Sequence, residues 1–427
     1  MAEISYLLER INQQNNKLLG ALYGNENLVI KNQAKIYSNL LKRFEERFKN
    51  SDVYLFSSPG RTEIGGNHTD HNLGRVLAGS VSIDNIAVAA KNNTSLIRIE
   101  SAGYPAFELD SSDTTPKEDE KFSASSLVRG MVAGLRDKGF KCEGFDACIE
   151  GRVPKGSGLS SSASFEVLIG TIISHLFNDG KLDPVQNAIT GQYAENNYFG
   201  KPCGLMDQTA CSVGGLITID FKDPDNPVVR KVDFDFTKTG YSLVITDTGG
   251  DHADLNEDYA SLPREMKSVA ASFGAGVLRE VSLDDIVKAI PELRTTAGDR
   301  AILRAYHFQK DNLRVAKQVE ALEKKNFSAF LNMVVESGYS SFMYNQNIYS
   351  PHNIKEQGVA LGLAISEMIL KDHGAWRVHG GGFAGTIQAF VPDRLLEKYI
   401  STMEQIFGKS SCHDLFIRNL GAVNLEF

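Results

Sequence analysis

Three stretches of the sequence combine residue types that could do chemistry, and the first is GRVPKGSGLSSSASFE at 151–166. It follows an alternating apolar run, 145–150, that predicts a strand. The apolar periodicity at 165–176 predicts a buried helix after it. Its glycines and serines therefore lie at a helix N-terminus, where unpaired amides and the helix dipole suit a phosphate. A serine-capped helix after a flexible turn is the simpler alternative.

The second stretch, PGRTEIGGNHTDHN at 59–72, is predicted to be a polar loop between strands. Strand-like sequence precedes it at 53–58 and resumes at 75–83 and 86–90. Such polar groups between apolar strands cost burial energy unless they are paired or face a ligand. A solvated surface turn is the alternative, and His-x-Asp-His is only a weak metal-ligand spacing. The side chains concerned are Arg61, Glu63, Asn67, His68, Asp70 and His71.

The third stretch, PCGLMDQTAC at 202–211, begins like a turn and continues as a helix. Asp207 falls in an early helical turn among Leu205, Met206 and Ala210. An acid with apolar neighbours caps a helix, pairs with a cation or takes part in a reaction. Farther along, HGGGFAG at 379–385 precedes an apolar strand and predicts a tight turn.

Composition restricts the class of protein. The 427 residues are 42% hydrophobic and 23% charged, which is typical of a globular chain of two or three domains. A net charge of −8 argues against nucleic acid or an anionic membrane as the main partner. Five cysteines without a CxxC pair favour neither disulfides nor zinc. With no signal-like start and no apolar run of about 18 residues, we expect a cytoplasmic protein.

The remaining patterns predict two domains. Helical periodicity is found in 1–50 and at 122–135, 183–197, 299–324 and 354–370, and strand-like runs lie at 216–221 and 241–247. The turn-rich segment 223–227 is the best linker. We therefore expect an N-terminal domain over 1–225 and a C-terminal domain over 226–427.

Taken in order, PGR…HTDHN at 59–72, PKGSGLSSSA at 154–163, PCGLMDQ at 202–208 and GGGFAG at 380–385 resemble the GHMP kinase superfamily, and more narrowly the galactokinase family. The resemblance spans roughly residues 53–392. It implies an α+β fold with a mixed-sheet N-terminal domain and a ferredoxin-like C-terminal domain. The active site would lie in the cleft between them.

The resemblance also implies an activity, the transfer of the γ-phosphoryl group of ATP to the anomeric hydroxyl of galactose. Asp207 would be the catalytic acid that takes or orients the hydroxyl proton, with Arg61 opposite it. Ser162 and Glu195 match the family's Mg²⁺ ligands. The positions that match the ATP loop are Lys155, Gly156, Ser157, Gly158, Leu159, Ser160, Ser161, Ser162 and Ala163. Those that match the sugar site are Arg61, Asn67, His68, Asp70, Gly204, Asp207 and Tyr259.

Three departures from the family signature in the segment 59–72 bear on the choice of sugar. Asn67 replaces a glutamate, Glu63 replaces an asparagine and His71 replaces a tyrosine. Asn67 is uncharged and can donate as well as accept, so the sugar contacts change there or another group supplies the missing acceptor. Arabinose, N-acetylgalactosamine and galacturonate thus remain alternative substrates. A catalytically silent sugar sensor is the alternative from another class, but Arg61, Ser162, Glu195 and Asp207 are all present, which favours the enzyme. The sequence does not predict the oligomeric state.

Overall fold

The structure, a computed structural model, describes residues 2–13, 16–154, 156–224, 226–250 and 255–427. Strands and helices alternate through the chain, as the periodicities indicate. The strands are β1 (Ala2–Glu3), β2 (Asp52–Gly65), β3 (Arg75–Lys91), β4 (Leu96–Ser101), β5 (Phe107–Asp110), β6 (Phe145–Gly151), β7 (Leu216–Asp220), β8 (Val228–Lys231), β9 (Tyr241–Asp247), β10 (Ala375–Val378), β11 (Thr386–Pro392), β12 (Cys412–Leu415) and β13 (Val423–Asn424). The helices are α1 (Ile4–Ile11), α2 (Lys17–Tyr23), α3 (Asn27–Phe48), α4 (Ala124–Asp137), α5 (Ser161–Phe177), α6 (Pro184–Ala194), α7 (Met206–Val213), α8 (Asn256–Ala271), α9 (Leu283–Thr296), α10 (Asp299–Glu323), α11 (Phe327–Ser340), α12 (Gly358–Leu370) and α13 (Asp393–Phe407).

Among the described residues, nine strands form the first sheet, whose main path is β1-β2-β3-β6-β4-β5. β7 pairs with β3 and β8, and β13 pairs with β2. The β4–β6 pair is parallel and the other pairs are antiparallel, so the expected mixed sheet is confirmed. Apolar side chains of α1, α2 and α3 cover one face of the β2–β3 pair, and α4 and α5 cover the other.

Strand β2 corrects the expected polar loop. The structure continues this strand through Gly65, so Arg61 and Glu63 lie on a strand and only the residues after Gly65 form a loop. Pairing with β3 buries this segment, since Arg61 lies opposite Ser80 and Glu63 opposite Ala78. Two register shifts interrupt the pairing, one of them after Pro59, and bulges are where a β-ladder tolerates proline. The facing sequence is likewise one strand, β3, instead of two.

The second sheet has the strand order β12-β9-β11-β10, with every pair antiparallel. Helices separate β9 from β10, and α13 separates β11 from β12, which gives the βαββαβ order of a ferredoxin-like domain and confirms that expectation. The boundary after residue 225 stays a prediction, and two strands beyond it, β8 and β13, pair with the first sheet. Among the described residues, no helix has both the length and the apolar character needed to cross a membrane.

Candidate active site

The phosphate loop places the start of α5 beside both domains. Gly156 and Gly158 have φ angles of 77° and 69°, a region that favours glycine. A Cβ on Gly158 would lie 2.8 Å from Thr386 Oγ1 and 3.0 Å from His379 Nδ1, so the loop packs directly on the second domain. A Cβ on Gly156 would meet nothing within 4 Å. Lys155, also expected here, lies outside the described residues.

Ser160, the residue before α5, has φ 60° and ψ 60°, which is uncommon for a residue other than glycine. This conformation brings its hydroxyl within 2.5 Å of Asp207 Oδ2, to which it donates a hydrogen bond. The first amides of α5 are free of intrahelical partners by the geometry of any helix. The start of α5 thus combines an anion site with a contact to the expected catalytic acid.

Arg61 and Asp207, which are 146 residues apart in the chain, form a two-pronged ion pair. Arg61 donates from Nε to Asp207 Oδ1 and from Nη2 to Asp207 Oδ2, both at 2.7 Å. Its remaining nitrogen, Nη1, donates to the carbonyl oxygen of Gly158. The Arg61 side chain is 8% exposed and that of Asp207 is 32% exposed, so the acid can meet a ligand while the arginine is held in place.

The electrostatics keep Asp207 ionised. Burial alone would raise its pKa, but the charge of Arg61 and the hydrogen bonds from Arg61 and Ser160 outweigh burial and lower the pKa below its ordinary value. A carboxylate in this state can accept a proton from a bound hydroxyl or orient it.

The residues expected to hold Mg²⁺ also lie together. Ser162 Oγ, in the first turn of α5, donates to Glu195 Oε1 at 3.2 Å. Glu195 is buried and begins a π-helical turn, Glu195–Phe199, a feature that is frequent at functional sites. In the part of the chain that the structure describes, no group of three or more His, Cys, Asp and Glu side chains forms a metal cluster. One hydroxyl and one carboxylate suit a hard cation whose other ligands are phosphate oxygens and water.

Two residues that the sequence analysis missed support this pair. Gln208 Nε2 donates to Glu195 Oε2 at 2.9 Å and to Glu166 Oε2 at 3.0 Å. Burial and then repulsion from Glu195 raise the pKa of Glu166 well above its ordinary value. Both lie inside quoted motifs, SSSASFE and MDQ, and a polar residue among buried helix positions was the available signal.

On the sugar side the structure brings together Asp70 and Gly204. A Cβ on Gly204 would lie 2.5 Å from Asp70 Oδ2, so only glycine allows this approach. His68 donates from Nε2 to the carbonyl oxygen of Gly381 at 2.8 Å. Burial, together with the nearby His71, lowers the pKa of His68 to about 4 and keeps the ring neutral at pH 7.

Tyr259 reaches the same glycine-rich segment from α8. Its hydroxyl donates to the carbonyl oxygen of Gly382 at 2.9 Å, and its ring packs edge-on against Phe383 with centroids 5.4 Å apart. His68 and Tyr259 therefore bind adjacent carbonyls of one segment and fix it against the sugar loop.

The side chain of Asn67 is held by protein groups alone. Its side chain is fully buried, and the protein occupies all four hydrogen-bonding positions of its carboxamide. The sugar contact expected of Asn67 stays a prediction, and the carboxamide that would make it already binds the carboxylate of Glu63. The four partners are Glu63 Oε1 and the Gly380 carbonyl as acceptors, and Asn347 Nδ2 and Ser341 Oγ as donors.

Comparison with family models places this arrangement within a class of kinases. Residues 126–215 match the model of the GHMP kinases N terminal domain, and residues 42–91 match the galactokinase galactose-binding signature. A crystal structure of Methanococcus jannaschii mevalonate kinase shares the fold, with a TM-score of 0.62 and 14% identity over 86% of this chain and 99% of that one. The fold and the phosphate loop are those of a GHMP kinase.

The relatives narrow the class further. Galactokinase from Streptomyces coelicolor is 29% identical over 86% of this chain and 92% of its own, and that from Clostridium tetani is 28% identical over 87% and 92%. Lactococcus lactis galactokinase complexed with galactose superimposes with a TM-score of 0.77 and 25% identity, covering 91% of this chain and all of that one. The chain thus carries the galactokinase galactose-binding signature and is similar to galactokinases over most of its length.

Proposed function

We propose that this protein is an ATP-dependent sugar 1-kinase that converts galactose and ATP to galactose 1-phosphate and ADP. The observation that carries the proposal is the contact of Asp207 with both Arg61 and Ser160 at the N-terminus of α5. It puts a proton acceptor beside an anion site, as phosphoryl transfer to a hydroxyl requires. The galactokinase relatives and the galactose-binding signature support galactose as the acceptor.

The chemistry follows from the charges at this contact. The anomeric oxygen of the sugar forms a bond to the γ-phosphorus as the bond to the β-γ bridging oxygen breaks, and ADP leaves. The hydroxyl proton passes to the Asp207 carboxylate. Arg61 stabilises the ionised acid before the transfer, and its position beside Gly158 lets it meet charge on the moving phosphoryl group. Such transfer depends chiefly on alignment and charge neutralisation.

For the phosphates, the first amides of α5 and the open side of Gly156 would supply donors and room. Ser162 and Glu195 would hold Mg²⁺, which when bound neutralises phosphate charge. Among the residues assigned to the sugar site, Asp70 would accept hydrogen bonds from sugar hydroxyls, because a carboxylate can accept from two hydroxyls at once.

The decisive experiment measures sugar-dependent ADP release from the purified protein with galactose, arabinose, N-acetylgalactosamine and galacturonate. We expect galactose to give the highest kcat/KM and phosphorus NMR to detect the phosphate on the anomeric oxygen. The Asp207→Asn variant is the matched control for contaminating kinases. Galactose binding without ADP release would identify the sensor alternative, and preference for another sugar would correct the substrate.

A further inference from the structure

Glu63 is a carboxylate in an unusual place. It lies on β2 with its side chain 6% exposed and pairs with Arg377, which is fully buried on β10. Arg377 Nη2 donates to Glu63 Oε1 at 2.5 Å, and Nη1 donates to the carbonyl oxygen of Ile64 at 2.7 Å. Because a buried arginine without a counterion would be strongly unfavourable, Glu63 has a structural role as the counterion of Arg377.

Only one of the two Glu63 oxygens takes part in these contacts. Arg377 and Asn67 both bind Oε1, whereas Oε2 makes no hydrogen bond to any described residue. Among the described residues, Oε2 is not one of the fully buried side-chain atoms that lack a hydrogen bond. Since it has no partner, it must therefore be accessible to solvent. An accessible carboxylate oxygen without a protein partner favours a ligand that donates a hydrogen bond.

The direction of Glu63 is set by the strand. The ladder is regular from Arg61 to Glu63, and residues two apart on a strand project to the same face. Arg61 points to Asp207, and the charges of both Arg61 and Asp70 act on the Glu63 carboxyl. The carboxylate therefore lies on the side of β2 that faces the reacting groups.

Asn67 fixes this carboxylate in place. Its Nδ2 donates to Glu63 Oε1 at 3.1 Å and to the Gly380 carbonyl at 2.8 Å, so one amide joins the strand to the glycine-rich segment. Its own backbone is held as well, since its amide donates to Asp311 and its carbonyl accepts from His307. This leaves the Asn67 side chain no alternative orientation that keeps its bonds.

We propose that Glu63 is the specificity-determining acceptor for one sugar hydroxyl in this protein, and that Asn67 is the positioning residue that holds it. The inference rests on the proposed function and makes it more specific. The family signature has asparagine at position 63 and glutamate at position 67, so the exchange conserves one carboxylate but moves it onto β2. A glutamate at both positions would place two carboxylates within contact of each other, and each would disfavour the ionised form of the other.

The test pairs a change in the protein with a change in the sugar. Calorimetry measures binding of galactose and of its 2-, 3-, 4- and 6-deoxy analogues to the wild type and to Glu63→Gln. We expect one deoxy analogue to bind the wild type about tenfold more weakly than galactose, since it loses a hydrogen bond to a charged group. In Glu63→Gln that loss should shrink to a few-fold, while the losses for the other three analogues stay the same. Equal losses in both proteins for all four analogues would overturn the role of Glu63.

The Asn67→Asp variant tests the positioning role. It keeps the size of the side chain but removes both Nδ2 donors and adds charge beside Glu63. We expect the KM for galactose to rise about tenfold with a smaller change in kcat, and the same deoxy analogue to lose its penalty. A lower Tm with an unchanged KM would overturn positioning. Glu257→Gln, which removes an exposed carboxylate paired with Arg264, is the control and should alter none of these values.

The two proposals fail in different ways. A wild type that phosphorylates galactose but shows equal analogue penalties overturns Glu63 alone, and a wild type that binds no sugar overturns both. If another sugar is the substrate, its deoxy analogues replace those of galactose. Should Glu63→Gln not fold, Glu63→Asp provides the same comparison, because its shorter carboxylate pulls back from the hydroxyl.

Discussion

Two of the clusters in which arginine pairs with aspartate, one at Asp207 and one at Asp84, differ in how completely they are closed. In the first, Arg61 donates hydrogen bonds to both carboxylate oxygens of Asp207, yet the Asp207 side chain remains 32% exposed. In the second, Asp84 is fully buried, like its partner Arg418. The two clusters thus differ in the solvent exposure of the aspartate and not in the type of ion pair.

The closed cluster is saturated with donors from four parts of the chain. Asp84 Oδ2 accepts from Tyr23 at 2.6 Å, from Ser57 at 2.5 Å and from Arg418 at 3.2 Å, and Oδ1 accepts from Arg152. Because Asp84 is fully buried, its carboxylate serves to join β3 to α2, β2, the segment after β6 and the C-terminal segment. We infer that the Asp84 cluster serves the fold and that the Asp207 cluster serves the reaction.

The largest expected effect is on turnover in Asp207→Asn. Removing the proton acceptor should lower kcat by about 10²–10⁴-fold. Galactose and nucleotide binding should change little, because the amide keeps the shape of the carboxyl and can still accept a bond from Arg61. Single-turnover kinetics and calorimetry on the same preparation measure both quantities. Near-normal turnover in this variant would show that Asp207 takes no part in the reaction. The proposed difference in role between the two clusters would then be wrong.

The Asp84→Asn variant should show the opposite pattern. It leaves Arg152 and Arg418 without their shared counterion in a closed site, which should lower the free energy of unfolding by about 3–5 kcal/mol. Denaturant unfolding measures this loss, and kcat measured on the folded fraction should remain close to that of the wild type. Loss of turnover in a fully stable Asp84→Asn protein would contradict the division of roles.

A smaller effect is expected from Ser160→Ala. The change removes a single hydrogen bond to Asp207 and leaves Arg61 in place, so kcat/KM should fall about tenfold, as for one bond to a charged group. Ser401→Ala, an exposed hydroxyl far along the chain on α13, is the matched control. An unchanged kcat/KM would show that Arg61 alone sets the geometry of the acid.

The smallest effect concerns pH. Because Arg61 and Ser160 lower the pKa of Asp207 against the effect of burial, the carboxylate stays ionised below the ordinary value for aspartate, about 3.9. The stability contributed by the pair is therefore fully present above that value and is lost as the pH falls through the lowered pKa. In Arg61→Gln the acid limb of kcat/KM should move to higher pH. If the acid limb of kcat/KM does not move, a group other than Asp207 controls that limb.

Much of the fold could be predicted from the sequence. The helices at the N-terminus and the helix after the serine loop have strong apolar periodicity, and the structure contains them as α1, α2, α3 and α5. The continuation of β2 was not predicted, because Pro59, Gly60 and Gly65 are turn residues and only the pairing with β3 makes them a strand.

The sequence predicted those residues of the candidate site that lie in recognisable motifs or match the family. Arg61, Ser162 and Asp207 lie in the quoted motifs, and Glu195 was assigned from the family resemblance. The structure brings the four residues together in two pairs. The burial of Asn67 and the contact between Glu63 and Arg377 were not predicted. These contacts join residues up to 314 positions apart, and nothing in the local sequence indicates such a pairing.

The short strand β13 pairs with β2 through Ser57 and Phe56, only a few residues before Arg61. Its neighbours are held too, since the amide of Ala422 donates to the carbonyl of Cys211 on α7, the helix that bears Asp207. The strand carrying Arg61 therefore completes its pairing only with residues that follow the ferredoxin-like sheet in the sequence. Arg61 and Asp207 thus depend on the same returning segment, and the framework of the site is complete only once that segment has docked.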